Sequence, residues 1–361
     1  MNIQIRGLTR SDIKKMSDLI RTRAELDREG AEKRVRLLEW IAFCNPEANG
    51  EATYFVAEDS EKLVGYVGRM PTEFVVNGKL ERAYFMHDLY VHPEYREKGL
   101  GFFITMALYR KLEQSTDSFL CGLWPSPLNL EFLRRRGYHE LHGDRYIKLL
   151  SSHSLLLVAR SRFLVKLLDP FLKIILRIAD SFSPRQNSAK VRVTEIERFD
   201  ARFDKLVQRN LQQMAISPSK KSRYLNWKYI DRPFRRNTVL AADHDGQILG
   251  FVVLAVREQK GYRKGTILDL IADPKDTKAI SSLCKAAIDY FKEQKVYSIH
   301  CYLTDKRFAK VFKRFLFIKV HSSDKFLLAN VEKCRDGREN LTDINKWHVS
   351  YGDSDGFMLR P

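Results

Sequence analysis

Apolar and polar positions in this chain follow two rhythms, and each rhythm occurs twice. Tyr54-Phe55-Val56-Ala57-Glu58-Asp59, then Leu63-Val64-Gly65-Tyr66-Val67, is a pair of strand-like runs around a polar turn. Val239-Leu240-Ala241-Ala242-Asp243, then Ile248-Leu249-Gly250-Phe251-Val252, is the same pair again. Both predict a β-hairpin. Ile3-Gln4-Ile5-Arg6 and Val191-Arg192-Val193-Thr194 alternate as strands, and an amphipathic helix is expected after each. Trp40 stands six positions before Pro46, and Trp227 six before Pro233. Finally, His87-Asp88-Leu89-Tyr90-Val91-His92-Pro93 has its counterpart in Leu268-Asp269-Leu270-Ile271-Ala272-Asp273-Pro274. A repeat this long is a duplicated domain, not a solenoid. The 361 residues divide as a first domain 1–150, a connector 151–189, a second domain 190–335 and a tail 336–361.

The connector has its own pattern. From Ser154 to about Phe182 it is apolar except for Arg162, Lys166, Asp169, Lys173, Arg177 and Asp180, which recur every three or four residues. Such a stripe predicts an amphipathic helix, broken at Pro170. The favoured reading is a helix packed between the domains. Its alternative is a basic helix lying on an anionic membrane, against which Asp169 and Asp180 count.

The richest stretch runs from Met86 to Gly101, MHDLYVHPEYREKGLG. It predicts a strand, a turn opened by Pro93, and a glycine loop that opens a helix from Phe102 to about Glu113, with Phe103, Met106, Ala107 and Tyr109 as apolar contacts. Backbone amides at a helix start lack partners, and the dipole there is positive, so the place suits an anion. Gly99 and Gly101 let a phosphate approach the backbone, and Arg96 adds a permanent cation. The spacing Arg-x-x-Gly-x-Gly is neither the Lys-Ser/Thr phosphate loop nor the dinucleotide fingerprint.

At these residues the chain resembles the GNAT superfamily of acyl-CoA-dependent N-acyltransferases, whose pyrophosphate loop is Gln/Arg-x-x-Gly-x-Gly/Ala. Asn129-Leu130-Glu131-Phe132-Leu133-Arg134-Arg135-Arg136-Gly137-Tyr138 resembles the family's later helix closing on Gly-Phe. The resemblance implies an α/β (α+β) fold of two GNAT-like domains, each a mixed, mostly antiparallel sheet flanked by helices. It implies acetyl-CoA as cosubstrate, held by Leu89, Tyr90 and Val91, by Arg96, Glu97, Lys98, Gly99, Leu100 and Gly101, and by Asn129. His87 would be the base for the acceptor amine, with Asp88 beside it on the opposite face of the strand. The counterpart of Asp88 is Asp269, which also gives this aspartate a structural reading. The family's proton donor, a Tyr four residues before the late glycine, is here Leu133, so Tyr138 or solvent would have to serve.

The second copy departs from this pattern. After Pro274 it runs Lys275-Asp276-Thr277-Lys278-Ala279-Ile280-Ser281, without glycine, and the counterpart of Gly137 is about Leu316. It is expected not to hold CoA but to pack on the first domain and shape an acceptor cleft. The tail, Asn345 to Asp355, alternates to Tyr351 and ends in a turn with two carboxylates. It resembles the endings of tandem GNAT-like proteins encoded with surface-polysaccharide enzymes. Asp353 and Asp355 are candidates for an acceptor amine or a cation, or form a solvated turn.

Composition narrows the partners. Hydrophobic residues at 44% and charged residues at 30% suit a globular protein with substantial cores. No apolar run reaches the ~18 residues of a membrane span. Five scattered cysteines without Cys-x-x-Cys suggest a reducing cytoplasm and neither disulfides nor a metal site. The net charge of +18 is spread along the chain, without an aromatic-basic RNA motif or helix-turn-helix pattern, so no specific nucleic acid is expected. The function implied is acetyl transfer to the primary amine of a small or medium acceptor, such as an amino sugar or cell-envelope precursor. The alternative is a non-catalytic module with the same fold that binds acyl-CoA, nucleic acid or a membrane surface.

Overall fold

The computed structural model describes residues 2–151, 154, 170–171, 174, 191–210, 213, 215–234, 237–259, 261–320, 325–334, 338–354 and 357. The helix read over 154–182 and the role read for Asp355 lie outside these residues, apart from isolated positions of the connector.

The first half contains strands β1 (Ile3–Gly7), β2 (Tyr54–Asp59), β3 (Lys62–Val76), β4 (Lys79–Val91), β5 (Leu120–Leu123), β6 (His139–His142) and β7 (Asp144–Leu149). Among them run helices α1 (Ile13–Arg21), α2 (Arg28–Cys44), α3 (Pro93–Glu97), α4 (Gly101–Gln114) and α5 (Pro127–Arg135). The second half repeats the order with β8 (Arg192–Ile196), α6 (Ala201–Asn210), β9 (Ile216–Pro218), β10 (Thr238–His244), β11 (Gln247–Gln259) and β12 (Tyr262–Ala272). It continues with α7 (Thr277–Glu293), β13 (Ser298–Leu303), α8 (Ala309–Arg314), β14 (Ile318–Val320) and β15 (Lys325–Ala329). The duplication extends to backbone detail: Gly137 has φ +81 and its counterpart Leu316 has φ +59. Trp40 stacks on Trp227 with centroids 4.6 Å apart, so the matched tryptophans meet between the halves.

Two sheets form, in the orders β1-β2-β3-β4-β5-β15-β6 and β14-β7-β13-β12-β11-β10-β8, with β9 added against β3. Each is antiparallel except for one internal parallel pair, β4 with β5 and β12 with β13. The halves exchange a strand. β15 lies between β5 and β6, while β7 lies between β13 and β14. The crossing occurs at Gly143, where a Cβ would fall 2.3 Å from Tyr302 Oη. Thus β7, within the span 1–150, completes the second sheet. A fragment 1–150 lacks β15 and leaves β5 and β6 without the strand that joins them. It is expected to show no cooperative thermal transition, and a dispersed amide NMR spectrum from it would contradict this.

Around the first sheet, α1 and α2 cover one face and α4 the other. Helix α4 buries Ile104, Leu108, Tyr109 and Leu112. Phe103 is 67% exposed, correcting its assignment to the apolar contact. The i, i+4, i+8 row through Ile104 takes the core, and Phe103 is rotated one position out of it.

Candidate active site

Strands β4 and β5 are paired only at Tyr84–Leu120 and Phe85–Cys121. Beyond Phe85 they part. Here β4 bulges against β3: Gly68 faces His87 and Tyr66 faces Tyr90, so Asp88 and Leu89 together oppose Val67. Asp88 has φ +51. The bulge turns successive side chains the same way. His87 meets Tyr54, and Asp88 meets Arg34 of α2 and Arg23, all on the α1–α2 side. This corrects the expectation that His87 and Asp88 face opposite ways, because period two holds only in an unbroken ladder.

The parted strands border a cavity of about 360 Å³. Arg23, Arg34, His87 and Asp88 line it from one side of the sheet, and Tyr109, Asn129 and Leu133 from the other, with Leu89 and Trp124 at the strand ends. On the first side, Asp88 accepts hydrogen bonds from Arg34 Nη2 and from Arg23 Nη1, the latter at 3.1 Å. Arg23 also donates to Tyr66 Oη at 2.9 Å and to Glu25 at 2.7 Å. Burial works to raise the Asp88 carboxyl, but Arg34 and Arg23 outweigh it and hold the group below the usual carboxylate range. His87 has no such partner. Burial pushes its imidazole down to about 4, so it is neutral at pH 7. Its ring lies over Gly68, where a Cβ would come within 2.2 Å of Cε1. His87 Nδ1 is 3.5 Å from Tyr54 Oη, and Nε2 has no hydrogen-bond partner among the described residues.

On the second side, Tyr109 Oη lies 3.0 Å from Asn129 Nδ2 and 3.2 Å from Asn129 Oδ1. Leu133 is apolar and buried here. The hydroxyl of Tyr138, the other candidate proton donor, bonds Glu113 at 2.9 Å, and Tyr138 does not line the cavity. Tyr109 supplies the cavity's tyrosine hydroxyl.

The loop follows directly. Gly99 has φ +74, and Gly101 begins α4 with its Cβ direction 3.0 Å from Arg96 Cγ. The cap position, Leu100, gives no side-chain hydrogen bond, and Ile104 N–H meets Leu100 O at 3.1 Å. The amides of Gly101, Phe102 and Phe103 therefore precede the helix's own ladder and form an anion-facing end. Arg96 is exposed over the Tyr90 ring at 5.6 Å, and Lys98 holds Glu94 at 2.6 Å beside exposed Glu97. Leu89 lines the cavity, whereas the Tyr90 and Val91 side chains are buried in the layers on either face. In the second copy the equivalent helix end is occupied by the chain itself. Asp276 Oδ1 accepts from the amides of Lys278 at 3.1 Å and Ala279 at 2.9 Å.

Residues 15–138 match the model of the acetyltransferase (GNAT) family. This part of the chain is a GNAT domain. The second half, which that model does not cover, repeats the fold. No curated protein sequence matches the chain. Among solved structures, a GCN5-related N-acetyltransferase from Anabaena variabilis is 13% identical with a TM-score of 0.61, over 92% of this chain and 74% of that one. One from Kribbella flavida is 15% identical with a TM-score of 0.56, over 91% and 70%. Saccharomyces cerevisiae N-myristoyltransferase with bound myristoyl-CoA is 13% identical with a TM-score of 0.53, over 91% and 82%. At such identities the likeness is one of fold. Among the described residues, no helix is long and apolar enough to cross a membrane, and no group of His, Cys, Asp and Glu is arranged to hold a metal ion.

Arg23, Arg34, Gly68, Trp124 and the Tyr109 hydroxyl were not legible as site residues from sequence. Gly68 carried a usable signal, since glycine inside a strand marks a bulge or a close approach. Arg23 and Arg34 carried none, because only the fold brings them to Asp88.

Proposed function

We propose that the first GNAT domain transfers an acyl group, acetyl in the first instance, from acyl-CoA to the primary amine of a small or medium acceptor. The observation behind this reading is the cavity between β4 and β5, bordered on one side by a neutral imidazole and on the other by a phenol, on the strand that leads into the glycine-bearing start of α4. The pyrophosphate would sit on the amides that open α4, with pantetheine passing Leu89 and Asn129 to bring the thioester between the strands. The amine would enter from the α1–α2 side, where His87, directly or through a water, takes its proton. Asp88 fixes Arg23 and Arg34 in the wall. Attack forms the C–N bond and breaks the C–S bond, and Tyr109 protonates the departing thiolate. The tail's likeness to polysaccharide-associated proteins directs the first acceptor panel to amino sugars.

The test is acetyl-CoA titration by calorimetry. One site per chain is expected, since Asp276 already caps the second helix. Gly101→Glu should abolish binding, because its Cβ would meet Arg96 Cα at 3.2 Å and its carboxylate would repel the pyrophosphate. Two sites, or unchanged binding in that variant, would overturn the assignment.

A further inference from the structure

The second domain has the same parting of strands as the first, but a different occupant. Strands β12 and β13 pair from Lys264–Ser298 to Ile267–Cys301 and then separate. The chain's own segment 347–353 enters the gap. Its Ser350 bridges to Leu303 of β13, and Thr304 N–H donates to Val349 O at 3.1 Å. On the other side His348 Nε2 lies 3.1 Å from Leu270 O of β12, and Ser350 Oγ donates to Asp269 at 2.8 Å. A Cβ on Gly352 would fall 3.1 Å from Leu268 O and 1.9 Å from Tyr229 Oη, so the segment has no room for a larger side chain there. The place that in the first domain is open to a donor is filled here by polypeptide.

That segment reaches a residue of the first domain's cavity wall. Trp124, which lines the cavity, has φ +54 at the end of β5. Its ring packs against Tyr302 of β13 at 5.3 Å and against Tyr351 at 4.9 Å. Both supports come from the second half. Trp124 Nε1 is buried without a hydrogen-bond partner among the described residues.

We propose that segment 347–353 is a fixed part of the first domain's active site: Tyr351 is a positioning residue that holds Trp124 in the cavity wall, and Trp124 contacts the acceptor. The assignment rests on the transferase reading for the acceptor's identity as an amine. The brace itself is independent of it. An indole held from behind presents a rigid apolar surface at little entropic cost. The filled cleft explains why the second copy kept the fold while losing the glycine loop: its parted strands anchor a wall and not a ligand.

The full-length protein tests this by acrylamide quenching of tryptophan emission. Trp40, Trp227 and Trp347 are 7%, 5% and 1% exposed, so the quenchable signal belongs mainly to Trp124. Tyr351→Ala should increase quenching and Tyr351→Phe should not. In a Trp124→Phe background, Tyr351→Ala should have no effect. Tyr351→Leu serves should the alanine variant fail to fold. With glucosamine, lysine and spermidine as amine probes, Tyr351→Ala should raise the amine KM about tenfold while the acetyl-CoA KM stays within about twofold, and Tyr351→Phe should restore the parent value. Unchanged quenching, or equal rises in both KM values, would overturn the proposal. No turnover of any probe by the parent protein would count against the transferase reading instead, and quenching would still decide the brace.

Discussion

Replacing Asp353 by alanine should destabilise the folded protein by about 3–5 kcal/mol. Asp353 is 1% exposed and joins a buried set of charges. Lys220 and Lys228 are 2% and 0% exposed, and both donate to Asp353 Oδ1, Lys228 at 3.0 Å. Lys220 also reaches Asp269 Oδ2 at 2.9 Å, and Tyr229 donates to the same oxygen at 2.8 Å. Two cations and two carboxylates thus balance inside the second domain. Burial would raise the Asp353 carboxyl, but Lys220 and Lys228 overcome it and keep the group far below the usual range. Removing the carboxylate leaves two buried ammonium groups facing one carboxylate, and the uncompensated desolvation gives the effect its size. Urea unfolding should show it as a lower midpoint with an unchanged slope. Asp353→Ala combined with Lys228→Met, which deletes one cation with its partner, should recover part of the loss. A loss below about 1 kcal/mol for Asp353→Ala would mean that the lysines find water or another partner. The reading of this aspartate as a ligand for an amine or cation is corrected by the same geometry, since its ligands are already lysines of the chain.

The duplication and the glycine-bearing turn before α4 were legible because each rests on short local patterns. A strand, a turn and a glycine-bearing helix start are specified by residues within a single short stretch, and the counterpart stretches appear in the same order in each half. Even Leu316, in the left-handed conformation that Gly137 adopts, was matched by order alone. The exchanged strands were not legible. An alternating segment such as Asp144–Leu149 states which face is apolar but not which sheet receives it, and β7 and β15 cross between sheets that lie far apart in sequence. The tail was read as alternating up to Tyr351, yet alternation does not distinguish an exposed edge from a segment inserted between two parted strands.

Within the site, sequence gave residue types and structure gave directions. His87 and Asp88 were expected on opposite faces, and a single bulge at Asp88 reversed that relation. The departure at Leu133 was visible, while the tyrosine that lines the cavity was not: Tyr109 looked like one more apolar residue of α4, and its hydroxyl becomes informative only beside Asn129. Asp269, the repeat counterpart of Asp88, is likewise tied to cations, Lys220 in place of Arg23 and Arg34. In both copies the bulged strand carries an aspartate bonded to a basic side chain, which supports a structural role for Asp88.

Replacing His87 by glutamine should lower kcat about a hundredfold, with acetyl-CoA affinity retained. Glutamine keeps much of the volume over Gly68 but accepts no proton, so the variant separates chemistry from packing better than alanine. The pH dependence gives a sharper test. The folded imidazole titrates at about 4, against 6.5 when unperturbed, and burial is the leading cause. His87 is therefore already unprotonated across the neutral range, and its own ionisation should not shape the rate near pH 6.5. The rise of rate with pH in that range should follow the acceptor amine losing its proton, and should persist with the same midpoint in the glutamine variant at lower amplitude. Stability carries the opposite face of the same shift. Between pH 6.5 and about 4 the unfolded chain takes up a proton at His87 that the folded chain refuses, so this contribution is present above 6.5 and is lost as pH falls through that window. The glutamine variant should lack that part of the acid destabilisation. A fall in kcat below about threefold would move the base elsewhere, to an ordered water on the α1–α2 side of the cavity. A rate profile of the parent protein whose midpoint near 6.5 disappears in the variant would show instead that the imidazole is more exposed in the donor complex than the folded geometry gives, and that the cavity opens when acyl-CoA binds.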